Sequence, residues 1–202
     1  MSVAETPRER PSPRYGEGRL ALLGATVQVV ADQGLRNLTY RAVAREAGMS
    51  HGSVDHHFGS RDALLEEALR YSLNRTVTSI STRPGSGDLD AVFEGLCAMV
   101  EDNPADQAFQ YELILEGRRR PELRPHVEAI YQAYVTGIQR ELECAGLEHD
   151  IALGHLVYAA ADGLVFNQIT IGNADMTERA LAHLRELLAS AKVSTDPPRT
   201  SD

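Results

Sequence analysis

Residues 39–64 read TYRAVAREAGMSHGSVDHHFGSRDAL. Tyr40 to Ala47 makes a helix of about two turns, with Thr39 as its N-cap and Val43, Ala44 and Ala47 on one inward face. Gly48 stops it, because glycine enters the left-handed region without a steric penalty. Two residues on, Ser50 caps a second short helix to about His57, whose Val54 and the following Phe58 lie one turn apart and point inward. Ser60, with Asp62 in the first turn, opens another helix at Arg61. Two short helices joined by Gly48-Met49-Ser50 make a helix-turn-helix.

In such a unit the first helix braces the second across the major groove, and the second helix's N-terminal residues reach the base edges. Here these are Ser50, His51, Gly52 and Ser53, followed by His56 and His57. Thr39, Tyr40 and Arg41 begin the bracing helix and Arg61 begins the one after, places where free backbone N–H groups donate to phosphate oxygens. The three histidines do not form a metal site by spacing: five apart and adjacent, they do not share a helical face. If they face phosphates, their protonation near pH 6 strengthens binding.

Outward from this stretch, apolar residues recur at three- and four-residue intervals with no period-two alternation, so the fold is expected to be all α, with about nine helices. The first runs from about Arg19 to Gln33, its stripe Leu20, Leu23, Val27 and Val30 and its stop Gly34. The fourth continues from Arg61 to about Ile80. Thr82-Arg83-Pro84-Gly85-Ser86-Gly87 reads as a linker, with Asp88 capping a helix to about Glu101. Asn103-Pro104 opens a helix to about Arg118; the next spans about Pro125 to Cys144, then Asp150 to Ile171. Asp175 with Glu178 reads as the capping box of a last helix to about Lys192. The expected division is a mobile arm (1–15), a three-helix DNA-binding domain (16–62), a second helical domain (63–192) and a disordered tail (193–202). Arg8, Arg10 and Arg14 either reach along DNA or stay solvated.

The 202-residue chain has 43% apolar residues and a net charge of −9. That composition builds a core without disulfides. The charge is uneven: residues 1–61 carry eight arginines against six acids, and the remainder is strongly acidic, so a polyanion contact belongs to the first part. No apolar run reaches membrane-spanning length and no signal-peptide core opens the chain, which predicts a cytoplasmic protein without a membrane partner. Cys97 and Cys144 stand apart in apolar helical patterns, as buried thiols or a redox sensor.

The pattern Arg19, Leu23, Ala25, Gly34, Thr39, Val43-Ala44, Ala47-Gly48-Met49-Ser50, Gly52-Ser53-Val54, His57-Phe58, Arg61 and Leu64 resembles the N-terminal region of TetR-family transcriptional regulators. The resemblance implies a ligand-responsive DNA-binding regulator, a homodimeric repressor released from a palindromic operator by a small molecule, with no cofactor. The family usually has tyrosine at the position of Asp55, where a carboxylate is repelled by phosphate unless it accepts from a cytosine amine or pairs with a cation. Arg61 stands where the family often has lysine, a cation for a phosphate.

The resemblance also implies a pocket within about residues 62–145, for which Phe93, Met99, Phe109, Tyr111, Glu112, Leu115, Tyr131 and Tyr134, with Phe166 and Asn167 beyond, are candidates beside their plainer role as core. A two-fold dimer is expected from the small reach of one reading head. Leu181, Leu184 and Leu188, followed by Ala191, form a stripe on the last helix, and Ala159, Ala160, Gly163 and Leu164 make a close-packing face on the one before; these are its candidate surface, unless they pack within one subunit. An enzyme reading finds no GxSxG, HExxH, P-loop or GxGxxG. A helical interaction protein that no longer binds DNA differs in losing the steep salt dependence of phosphate contacts.

Overall fold

The computed structural model describes residues 15–195, and all numbered helices below lie within them. Arg8, Arg10 and Arg14 lie outside the described residues. The described chain is all α: α1 (Tyr15–Gln33), α2 (Tyr40–Ala47), α3 (His51–Phe58), α4 (Arg61–Thr76), α5 (Leu96–Asp102), α6 (Pro104–Gly117), α7 (Arg124–Cys144), α8 (Ile151–Ile171) and α9 (Ala174–Thr195). Short 3₁₀ turns at Leu35–Asn37, Val77–Ser79 and Pro121–Leu123 join some of them. No helix among the described residues is long and apolar enough to cross a membrane.

The three caps expected around the helix-turn-helix form. Thr39 Oγ1 accepts from Ala42 N at 3.1 Å, Ser50 Oγ from Ser53 N at 3.2 Å and Ser60 Oγ from Ala63 N at 3.1 Å. Each satisfies one of the donors a helix start leaves open, worth about 1 kcal/mol. Gly48, at φ 65° and ψ 30°, turns the chain from α2 toward α3. Val43 and Val54, fully buried, and Phe58 then close one core with Leu22, Val29 and Val30 of α1. That core does not end at residue 62: Phe109 and Leu113 of α6 belong to it, as do Leu123 and Ile130. A second core joins α5, α7, α8 and α9, and Tyr134 packs against both.

Several expectations need correction. The first helix starts at Tyr15, within the expected arm, and Leu20 is exposed while Leu22, Thr26 and Val29 are buried beside Leu23, Val27 and Val30. Asp88 opens a turn, not a helix; its Oδ1 accepts from Asp90 N at 3.0 Å. Residues 88–95 are irregular because Ser81 and Val92 pair as an isolated antiparallel bridge and Phe93 takes a left-handed φ of 65°. The expected linker is docked: Gly85 N donates to Glu141 Oε1 of α7 at 2.6 Å. Asn173, not Asp175, caps α9, accepting from Met176 N at 3.0 Å. That helix continues to Thr195, past the expected start of the tail. Cys144 is exposed, and Cys97 is half-buried.

The expected dimer stripe on α9 is largely internal. Leu181 is 0% exposed and Leu188 4%, both packed in the second core, with Leu184 half-buried against it. Leu156 at 66% and Leu187 at 68% face outward instead, with Ile171 and Met176. On α8 Ala159 and Gly163 remain exposed, whereas Ala160 and Leu164 are half-buried.

Candidate nucleic-acid interface and ligand cavity

Short loops and the three side-chain caps hold α2 and α3 so that Thr39, Arg41, Ser50, His51, Gly52 and His56 are exposed, with Tyr40, Ser53 and His57 half-buried. Ser53 Oγ lies 2.8 Å from Ser50 Oγ, so the cap also fixes the orientation of a candidate base-reading hydroxyl. The Tyr40 and His51 rings meet at 5.8 Å. Burial, then the Asp55 carboxylate, holds the Tyr40 phenol above its ordinary range. Arg45, absent from the sequence candidates, is exposed one turn from Arg41 on α2; the (i, i+4) repeat of arginine was its available signal.

Arg61 serves the fold. Its Nε donates to Leu38 O at 3.1 Å and its Nη2 to Leu35 O at 2.8 Å. The guanidinium thus clamps the turn that leads into α2. From the other side Glu112 Oε1 of α6 accepts from Leu35 N at 3.1 Å, and the buried Glu116 faces Arg36 Nε at 3.7 Å and Arg119 Nη2 at 2.6 Å. Glu112, expected at the pocket, is therefore a tie between α6 and the helix-turn-helix.

The second core contains a cavity lined by Ile80, Phe93, Leu96, Met99, Gln107 and Tyr134 on one side and Ile138, Tyr158, Ala161, Asp162 and Val165 on the other. Its free space is about 30 Å³, room for about one water molecule. Phe93 supplies a wall from a left-handed backbone, a conformation costly for a side-chain-bearing residue and often found at ligand sites. Of the sequence candidates, Phe93, Met99 and Tyr134 line this cavity. Phe109 belongs to the other core. Leu115, Phe166 and Asn167 are exposed, and Tyr131 lies at the surface with its ring edge-on to Tyr158 at 5.5 Å. A larger cleft of about 320 Å³ between α1 and the start of α6 is an open surface groove whose mixed wall includes Gln28, Asp32 and Arg75 beside Val27, Ala31 and Ile169.

Two polar systems border the cavity. Tyr111 donates to Asp162 Oδ1 at 2.9 Å while its ring stands perpendicular to Phe166 at 5.1 Å. Burial raises the Asp162 carboxyl above its ordinary range, and hydrogen bonds from Tyr111 and Tyr158 oppose that rise. Burial and the neighbouring Asp162 raise both phenols. The second system leads to α4. The Tyr134 hydroxyl lies 2.6 Å from Thr76 Oγ1 and 2.9 Å from Gln110 Oε1, and Gln107 Nε2 approaches it at 3.5 Å. Gln110 Nε2 donates to Ser72 Oγ at 2.9 Å. Tyr158, Asp162 and Gln107 were not among the pocket candidates read from the sequence, although a carboxylate within the apolar helix of residues 150–171 was a visible signal. Burial, then the Glu178 carboxylate, pushes the Cys97 thiol up to about 12, away from the thiolate form that reactive cysteines use.

Comparison with known proteins places these parts. The family description "Bacterial regulatory proteins, tetR family" matches residues 22–68, and "Tetracyclin repressor-like, C-terminal domain" matches residues 87–190. The HTH-type transcriptional regulator BetI 1 of Chromohalobacter salexigens is 33% identical over 85 residues, 42% of this chain and 42% of that one. The chain thus aligns with less than half the length of this curated relative. Among solved structures, a Rhodococcus sp. chain assigned to the TetR-family transcriptional regulators is 26% identical with a TM-score of 0.71, covering 88% of this chain and 99% of that one. The multidrug binding protein EbrR complexed with imidazole is 26% identical with a TM-score of 0.61, over 92% and 99% of the two chains, and is also known complexed with proflavin and malachite green. Matched over its helix-turn-helix and over half its length beyond, the chain belongs to the TetR family of transcriptional regulators, which are not enzymes.

Proposed function

We propose that this chain is a cytoplasmic, homodimeric repressor that leaves a palindromic operator when a small molecule enters the cavity. The observation that carries this reading is the hydrogen-bonded path from the cavity wall to α4. Tyr134 lines the cavity and meets Thr76 near the end of α4, while the start of that helix follows α3 directly. A ligand larger than about one water must spread the walls, and Tyr134 moves only with its partners. The ligand then binds best to a conformer whose α4, and hence whose reading head, is displaced. It shifts the equilibrium by that difference in affinity alone, typically about 1–3 kcal/mol. Binding to DNA rests on Ser50, His51, Gly52 and Ser53 for sequence and on Thr39, Tyr40, Arg41, His56 and His57 for placement, to which the exposed Arg45 is added. EbrR, with three different small molecules, supports a ligand site in this type of domain.

The test is selection of bound fragments from a genomic DNA pool by the purified protein, sequenced after binding at two salt concentrations. A palindromic motif whose affinity falls steeply with salt is expected. Absence of any enriched motif overturns the DNA-binding part of the reading.

A further inference from the structure

The cavity wall holds a carboxyl group that has no cationic partner in the described residues. Asp162 lies in the middle of α8 and lines the cavity, half-buried among apolar residues. Its hydrogen-bond partners are the hydroxyls of Tyr111 and Tyr158, both neutral, and among the described residues no Arg, Lys or His pairs with it. A desolvated carboxylate normally acquires a cation, since neutral donors recover only part of its lost hydration.

The surroundings say which kind of cation fits. Tyr134 and Tyr158 stack at 5.8 Å and 23°, and Tyr131 closes on Tyr158 from outside. Ring faces attract cations, most strongly where water is excluded. Ile80, Leu96, Met99 and Val165 make the rest of the wall apolar. A metal ion does not suit it: no group of three His, Cys, Asp or Glu that could hold one exists among the described residues. An anion meets the Asp162 charge, and a neutral apolar molecule leaves that charge unpaired.

We propose that the cavity takes an organic monocation with an apolar or aromatic body, its charge held by Asp162 and the faces of Tyr134 and Tyr158; this rests on the reading of the cavity as the effector site. The cation supplies the counter-charge that the fold omits, and its body spreads the apolar wall.

The experiment is calorimetric titration of the purified full-length protein, without DNA, with phenyltrimethylammonium and with tert-butylbenzene, which has the same shape without the charge. The wild type is expected to bind the cation at least about tenfold more tightly, the ratio that one well-placed charge contact readily supplies. Asp162→Asn, which retains an oxygen to accept from Tyr111, is expected to abolish the preference with the helical circular dichroism unchanged. Equal affinities in the wild type, no binding of the cation, or a preference that persists in Asp162→Asn overturns the inference. A selected operator combined with no cation binding sinks this inference and leaves the regulator standing. Charge-selective binding without any enriched DNA motif supports the cation site and sinks the regulator reading.

Discussion

At Arg61 the sequence and the structure assign one side chain to different tasks. A cation at a helix start beside a helix-turn-helix suggests a phosphate contact, yet this guanidinium spans Leu35 and Leu38, residues 26 and 23 positions away in sequence. Arg61→Ala is therefore expected to lower the unfolding free energy by about 1.5–3 kcal/mol, the usual worth of a hydrogen bond to a charged group. The salt dependence of operator binding should stay the same; a slope reduced by about one unit would return Arg61 to the phosphate. Asp162 gives a second residue-scale prediction, through pH. Its folded pKa is raised, so its contribution to stability is full below the unfolded value, near 3.8, and is lost as the pH rises through the folded value. At neutral pH the charge opposes folding. Asp162→Asn should melt higher than the wild type at pH 7.5, and the gap should close as the pH falls to about 4. Asp106, also raised by burial, titrates in both proteins and drops out of the comparison.

Among the elements, those whose ends are set by local chemistry were legible. Thr39, Ser50 and Ser60 each cap an N–H three residues on, a span that sequence displays directly. The start of α5 was not, because Leu89, Ala91, Val92 and Phe93 show burial without dihedral angle, and a bridge to Ser81 with the left-handed Phe93 fixes the chain there. The cavity was legible only through Phe93, Met99 and Tyr134; Asp162 and Tyr158 come to it across distant sequence, as Tyr111 meets Asp162 from 51 residues away. Whether α4 carries the signal is decided at Thr76, which touches Tyr134 and Gln110 but not the cavity. Thr76→Val keeps the side chain's shape and removes its hydroxyl. It should cost about 1 kcal/mol of stability and leave ligand affinity within about threefold. The ligand concentration needed to release the operator should shift by about 2- to 30-fold, which is about 0.5–2 kcal/mol of coupling. An unshifted release curve, measured by fluorescence anisotropy on labelled operator, would remove Thr76 from the path.

For the whole molecule, the strong acidity beyond residue 61 turns that part of the chain away from DNA and leaves the N-terminal helices to approach it. In the homodimer proposed above, two such heads are held at a fixed spacing, and the face that holds them has to be exposed in the single subunit. Leu181 and Leu188 fail that condition, whereas Leu156 on α8 and Leu187 on α9 meet it, beside the exposed Ala159 and Gly163. No added methyl at Gly163 would touch another atom of the chain, so a neighbouring helix has room to approach closely there. The periodicity that marked residues 181–188 was real but belonged to the subunit's own core, a distinction that apolar spacing does not contain. The two faces predict opposite outcomes. Leu187→Arg should give a helical monomer in analytical ultracentrifugation that binds a palindromic operator weakly, because a charge enters an apolar interface without a partner. Leu181→Ala should stay dimeric while losing about 2–5 kcal/mol of stability, the cost of a cavity in a packed core. If Leu187→Arg remains a dimer and Leu181→Ala dissociates while still folded, the interface lies on the inner stripe after all.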